Sequence, residues 1–153
     1  MPADFLDTSA LAKHYHAEAG SIEVDRLWND PARVLYVSRL SALEIVSVFA
    51  GKVRAGAIST ADFETLRRRF SADLTRVKRL VGTRLLVVHY QEAERLLHQH
   101  GPLRRLRTLD ALQLAVAVDL HRKNAIQRVV SSDKDLLTVA AAEGLGVLNP
   151  EDL

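Results

Sequence analysis

The 153-residue chain contains no cysteine. Disulfides, thiolate zinc sites, iron–sulfur clusters and cysteine nucleophiles are therefore excluded, and the reducing cytoplasm is the expected home. Aromatic residues make up only 5% of the chain and form no stripe, so no platform for stacking bases is legible. No apolar run approaches the ~20 residues that a membrane helix needs. The opening Met1-Pro2-Ala3-Asp4 has neither a basic segment nor a long apolar one, which argues against a secretory leader. Internal repeats, low-complexity stretches and linkers are absent from the sequence.

What is present is ordinary for a globular protein: 48% apolar residues, 26% charged residues and a mean hydropathy of −0.02. The length suits a single domain over residues 1–153 with one sizeable core. The net charge is +2 and the pI about 9.1. The placement of charge says more than its sum. Arg67, Arg68, Arg69, Arg76, Lys78, Arg79 and Arg84 face the single acid Asp73 between Leu66 and Arg84. Arg104, Arg105 and Arg107 form a second group. Such clusters suit a polyanionic partner, or simply face solvent.

Apolar runs and helical patterns alternate along the chain. Strands are expected at Ala3–Leu6, Val34–Val37, Leu85–Val88, Arg128–Ser131 and Gly146–Pro150. Helices are expected over 10–19, 21–28, 40–54, 91–100, 109–122 and 134–143, with Thr108 capping the helix over 109–122. Ser59 and Asp62 stand at capping-box spacing, and Phe63, Leu66, Phe70, Leu74, Val77 and Val81 recur at helical steps behind them. The segment 109–122 is apolar nearly all round and should be the most buried helix. Apolar strands alternating with helices predict an α/β protein: a three-layer α/β/α sandwich on a central, mainly parallel sheet.

In such sheets chemistry gathers beyond the carboxyl ends of the strands. Asp7 follows the first strand directly, and Asp133 follows the fourth almost directly. Glu44 and Asp110 interrupt apolar helices, where a carboxylate needs a cation, hydrogen bonds or a wet cleft. Each has a bland reading as a cap or a first-turn acid. Four converging carboxylates, however, repel one another and call for a divalent cation. An all-oxygen site favours Mg²⁺ or Mn²⁺.

Several stretches together resemble the PIN-domain family, most closely its VapC-type toxin ribonucleases. They are Phe5-Leu6-Asp7-Thr8-Ser9-Ala10-Leu11, Ser41-Ala42-Leu43-Glu44, Arg107-Thr108-Leu109-Asp110-Ala111-Leu112-Gln113-Leu114-Ala115, and Val130-Ser131-Ser132-Asp133-Lys134-Asp135-Leu136, running on to Asn149-Pro150. The resemblance covers nearly the whole chain and implies a PIN-like fold and a Mg²⁺- or Mn²⁺-dependent endoribonuclease. It maps the four family acids onto Asp7, Glu44, Asp110 and Asp133, as catalytic and metal-holding residues. Thr8 and Ser131 fall at positions that support the site, and Gln113 receives no role. The expected products carry 5′-phosphate and 3′-hydroxyl ends, and His14, His16, His89, His98, His100 and His121 are left out of the chemistry.

The resemblance further implies an antitoxin partner and a homodimer. A groove between the early helices, near Trp28 and Phe49, is one place for the antitoxin. Arg67, Arg68, Arg69, Arg104, Arg105 and Arg107 are the expected RNA contacts. Two other readings stay open: a non-catalytic PIN-like module that binds RNA or protein, and a different acidic-pocket Mg²⁺ phosphohydrolase. Against the second, Asp4 and Asp7 stand three apart on a strand, on opposite faces.

Overall fold

The computed structural model describes residues 2–152. Its elements run β1 (Ala3–Leu6), α1 (Thr8–Tyr15), α2 (Ser21–Asn29), β2 (Val34–Ser38), α3 (Leu40–Arg54), α4 (Thr60–Arg76), β3 (Leu80–Thr83), α5 (Val87–His100), α6 (Thr108–Arg122), β4 (Arg128–Val130), α7 (Lys134–Ala142) and β5 (Gly146–Leu148). The five strands form one sheet in the order β3-β2-β1-β4-β5, and every pairing is parallel. The chain thus begins in the middle of the sheet, winds out to one edge, and returns to the other side of β1. The order reverses between β1 and β4, which pair at Asp4↔Arg128, Phe5↔Val129 and Leu6↔Val130.

Strand side chains alternate between two cores, as the period of two requires. Phe5 and Val129 pack with α5, α6 and α7, whereas Leu6, Leu35, Val37 and Val130 pack with α1 to α4. Helices therefore cover both faces, which gives the three layers. On α6 every residue from 111 to 118 is buried, in line with its all-round apolar sequence. The Ser59–Asp62 capping box at the start of α4 is formed in both directions.

The third strand lies elsewhere than the sequence suggests. It is Leu80–Thr83, and α4 ends at Arg76 although helical spacing continues through Val77 and Val81. The more apolar Leu85–Val88 is no strand: Leu86, Val87 and Val88 are exposed, and α5 starts at Val87. Tertiary anchoring explains the shift. The Arg79 guanidinium donates to the carbonyls of Asp30, Arg33 and Trp28 at 2.6, 3.1 and 3.2 Å, closing the end of α2 and setting where β3 begins. Arg79 is thereby withdrawn from the basic surface that the sequence suggested. At the start of α5, buried His89 reaches back to accept the Leu86 N–H through Nδ1 at 2.9 Å. Its Nε2 therefore carries the proton and donates to Asp119 at 2.9 Å.

Two further expectations are corrected. Phe49 is fully buried, so it lines no groove. Trp28 stacks on His14 with ring centroids 3.8 Å apart. The cap of α6 is Arg107 rather than Thr108, because the Asp110 side chain accepts the Arg107 N–H at 3.2 Å. Among the described residues no helix is long and apolar enough to cross a membrane.

At the amino end of β1, Asp4 is buried between two guanidinium groups, Arg33 at 2.8 Å and Arg128 at 2.8 Å. Replacing it (Asp4→Ala) leaves two cations facing each other without their shared anion. The expected loss is about 1–3 kcal/mol in urea unfolding. An unchanged midpoint would mean that solvent already screens the two arginines.

Candidate functional site

The reversal between β1 and β4 leaves a crevice at the carboxyl edge of the sheet. Asp7 is the first residue past β1, and its N–H donates to Val130 O at the end of β4 at 3.2 Å. Asp7 is also the N-cap of α1: its Oδ1 accepts the Ala10 N–H at 3.0 Å and the Ser9 hydroxyl at 2.7 Å. Its Oδ2 accepts the Ser131 hydroxyl at 2.7 Å. This cap starts α1 at Thr8, two residues before the apolar pattern begins.

The other carboxylates arrive from helix starts. Asp133 caps α7, with Oδ1 accepting the N–H groups of Asp135 and Leu136 at 3.0 and 3.2 Å. Asp110 closes the first turn of α6 with Oδ2. Glu44 lies in the second turn of α3, and its Oε1 accepts from Thr8 at 3.1 Å and Gln113 at 2.6 Å. Among the described residues, Glu44 Oε2, Asp110 Oδ1 and Asp133 Oδ2 have no hydrogen-bond partner. Asp7, Glu44, Asp110 and Asp133 all line one cleft of about 200 Å³, together with Thr8, Ser9, Val48 and Gln113. No lysine, arginine or histidine is among the lining residues. Asp133, rather than its neighbour Asp135, is the acid that faces the cleft.

The electrostatics follow from this crowding. Burial raises the pKa of Asp7 to about 6. Hydrogen bonds from Ser131, Ser9 and the Ala10 N–H pull against that rise, and the Asp110 charge adds to it. Asp110 is also raised, first by burial and then by the charges of Asp133 and Glu44, against the Arg107 N–H and the Arg107 charge. The carboxylates therefore sense one another across the cleft. As they stand, no three acidic or histidine side chains among the described residues close around a point. The donor set fits a hard cation that keeps several of its waters and takes one or two carboxylates directly, which is the habit of Mg²⁺.

Both supporting positions sit in this frame. Ser131 donates to Asp7 and accepts the Asp133 N–H at 3.0 Å, tying two of the acids together. Thr8 touches Ser41, Glu44 and Gln113. Two contributors carry no role in the sequence reading: Ser41 and Gln113. Ser41 and Gln113 share the helix faces of Glu44 and Asp110, three residues away, a spacing that could have revealed them.

The basic residues divide. Arg104 and Arg105 are exposed in the loop leading to α6, and the Arg107 charge reaches Asp110. Arg67, Arg68 and Arg69 lie on α4 and do not line the cleft. Arg67 pairs with Glu64 at 2.9 Å, and Arg69 stands 5.3 Å over the Tyr15 ring.

A three-layer α/β/α protein with an acid-lined crevice where its parallel sheet reverses order is the class that geometry alone defines. The sequence model of the PIN domain matches residues 5–142, and the chain belongs to the PIN domain family. Solved structures share the fold. Mycobacterium tuberculosis VapC20, described as a toxin cleaving the sarcin–ricin loop, aligns at 22% identity and a TM-score of 0.64, over 93% of this chain and 95% of that one. A toxin–antitoxin complex from Klebsiella pneumoniae aligns at 18% identity and 0.62, over 98% and 99%. VapBC2 from Rickettsia felis, bound to promoter DNA, aligns at 16% and 0.59, over 96% and 98%. Among curated protein sequences no match is found.

The raised pKa of Asp7 fixes a sign. The folded chain holds this proton up to about pH 6, the unfolded chain only up to about pH 4. The cost of ionised Asp7 is therefore absent below pH 4, grows between 4 and 6, and stays constant above. Asp7→Asn, free of metal, should exceed the wild type in stability by on the order of 1–3 kcal/mol at pH 7–8 and match it near pH 4. Urea unfolding in EDTA across that range checks this. A gap that does not change with pH would show that burial does not tax the carboxylate.

Proposed function

We propose that this chain is a Mg²⁺- or Mn²⁺-dependent endoribonuclease of the VapC type, the toxin of a toxin–antitoxin pair acting in the cytoplasm. One observation carries the reading: four carboxylates from four different segments line a single cleft, and among the described residues no cationic side chain lines it. A structural role explains Asp7, Asp110 and Asp133 as helix-start acids and Glu44 as an acceptor for Thr8 and Gln113, but it does not explain why all four share one wall-to-wall space. Family membership and the toxin described as cleaving the sarcin–ricin loop support RNA as the substrate.

In this reading Asp7 and Asp110 are the principal holders of the cation, and Glu44 and Asp133 complete the acidic pocket. The bound ion supplies charge neutralisation on phosphate oxygens and makes a water easier to deprotonate. Ser131 and Ser9 fix Asp7 by donating to both of its oxygens. Thr8 fixes Glu44. The free oxygens of Glu44 and Asp133 orient water toward the phosphodiester. Attack by water leaves the ribose 2′-hydroxyl uninvolved and gives 5′-phosphate and 3′-hydroxyl ends. Arg104, Arg105 and Arg107 draw the RNA backbone to the cleft mouth, and Arg67, Arg68 and Arg69 extend the basic surface along α4. The antitoxin is a second partner, supported by the toxin–antitoxin complexes that share the fold. A homodimer is part of the same reading.

Purified protein incubated with structured RNA should cleave in Mg²⁺ or Mn²⁺, stop in EDTA, and lose at least 100-fold in rate as Asp7→Asn or Asp110→Asn (about 3 kcal/mol or more). An active Asp110→Asn variant would remove Asp110 from the site. Replacing Arg104, Arg105 and Arg107 with alanine should weaken RNA binding and flatten its salt dependence by about one unit of slope per lost phosphate contact. An unaltered slope would take the RNA elsewhere.

A further inference from the structure

Gln113 lies one turn beyond Asp110 on α6 and is 3% exposed. Its Nε2 donates to Glu44 Oε1 at 2.6 Å and lies 3.0 Å from Ser41 Oγ and 3.1 Å from Thr8 Oγ1. An amide nitrogen has two hydrogens, so three acceptors share two donors, and the shortest contact goes to the carboxylate. The amide oxygen has the opposite problem. Gln113 Oε1 is buried and without a partner among the described residues. A dry, unpaired carbonyl is costly, so the orientation of this amide is set by what its nitrogen does.

The two hydroxyls do not need that nitrogen. Thr8 and Ser41 stand 2.9 Å apart, and Thr8 donates onward to Glu44 Oε1 at 3.1 Å. Ser41 to Thr8 to Glu44 is a complete donor chain without Gln113. What Gln113 alone adds is a second, charge-assisted bond to the same carboxylate oxygen. With Oε1 pinned by two donors, Glu44 presents Oε2 to the cleft. A half-buried glutamate otherwise has several rotamers to lose before it can take part in a site.

We infer that Gln113 is a positioning residue for the cleft: its amide nitrogen holds Glu44 so that the free carboxylate oxygen faces the cation and its waters, and the fold tolerates a dry carbonyl to achieve this. The inference rests on the reading of the cleft as a cation-holding site. Outer-shell partners of this kind change metal affinity or activity by about 10- to 100-fold when removed.

The test is a double-mutant cycle read by Mn²⁺ binding. Free Mn²⁺ is followed by electron paramagnetic resonance in the wild type, Gln113→Met, Glu44→Gln and the double variant. Metal-free melting is recorded beside it. Gln113→Met is expected to weaken Mn²⁺ binding about tenfold or more, with the metal-free Tm unchanged or raised because the dry carbonyl is gone. In RNA cleavage kcat should fall while KM stays. In the Glu44→Gln background, adding Gln113→Met should cost nothing further. Gln113→His keeps a ring N–H for Glu44 and should bind Mn²⁺ nearly as the wild type does. It also serves if the methionine variant fails to fold. A lowered Tm with unchanged Mn²⁺ affinity, additive losses in the cycle, or a Gln113→His variant as weak as Gln113→Met would overturn the inference alone. A wild type that binds no Mn²⁺ would overturn the underlying reading and this inference with it.

Discussion

The Asp7 carboxylate, held by Ser131 across the gap between β1 and β4, is the interaction on which the rest of the molecule depends. β1 lies at the centre of the sheet, and the residue that leaves it must start α1, seal the end of β4 and face the crevice. Asp7 does all three with two oxygens. Its backbone N–H continues the ladder to Val130, one oxygen caps the helix, and the other takes the Ser131 hydroxyl. Hydroxyl donors soften the burial of this carboxylate but do not cancel it, which is why its pKa stays raised.

The same economy recurs around the cleft. Asp110 and Asp133 each give one oxygen to the start of a helix, and the other has no partner among the described residues. Helix amino ends carry partial positive charge, so three starts aimed at one crevice ease the crowding of its carboxylates. Capping and acidity are thus the same residues seen from two sides. The structure shows Asp7, Asp110 and Asp133 as helix-start acids that also line the cleft, so a capping role does not remove them from the crevice.

Much of this was legible because the fold and the site obey short-range rules. Continuous apolar strands announced a parallel sheet, and the ranges of α3 and β1 follow directly from their patterns. The acids stood where strand ends or apolar helices made them conspicuous. What sequence could not reveal was set at long range. β3 sits at a sheet edge, contains Gly82, and starts where Arg79 grips three carbonyls far away in the chain. A more apolar segment nearby, Leu85–Val88, was the stronger local signal and yet lies exposed. Phe49 looked available because an aromatic residue in an amphipathic helix can face either way. It faces wholly inward. Gln113 was overlooked because an amide in an apolar helix advertises no chemistry until its neighbours are known.

β1 carries a buried carboxylate at each end, and the chain treats them oppositely. Asp4 receives two arginines, whereas among the described residues Asp7 receives two hydroxyls and one backbone amide. One end of the strand is electrically closed and the other is left open to whatever the surroundings provide. A cation that bound this open end in the folded form and not in the unfolded one would, by mass action, couple the unfolding equilibrium to the ionic composition of the medium. The melting point of such a chain would then act as a gauge of free divalent ion, with the sheet itself as the dial.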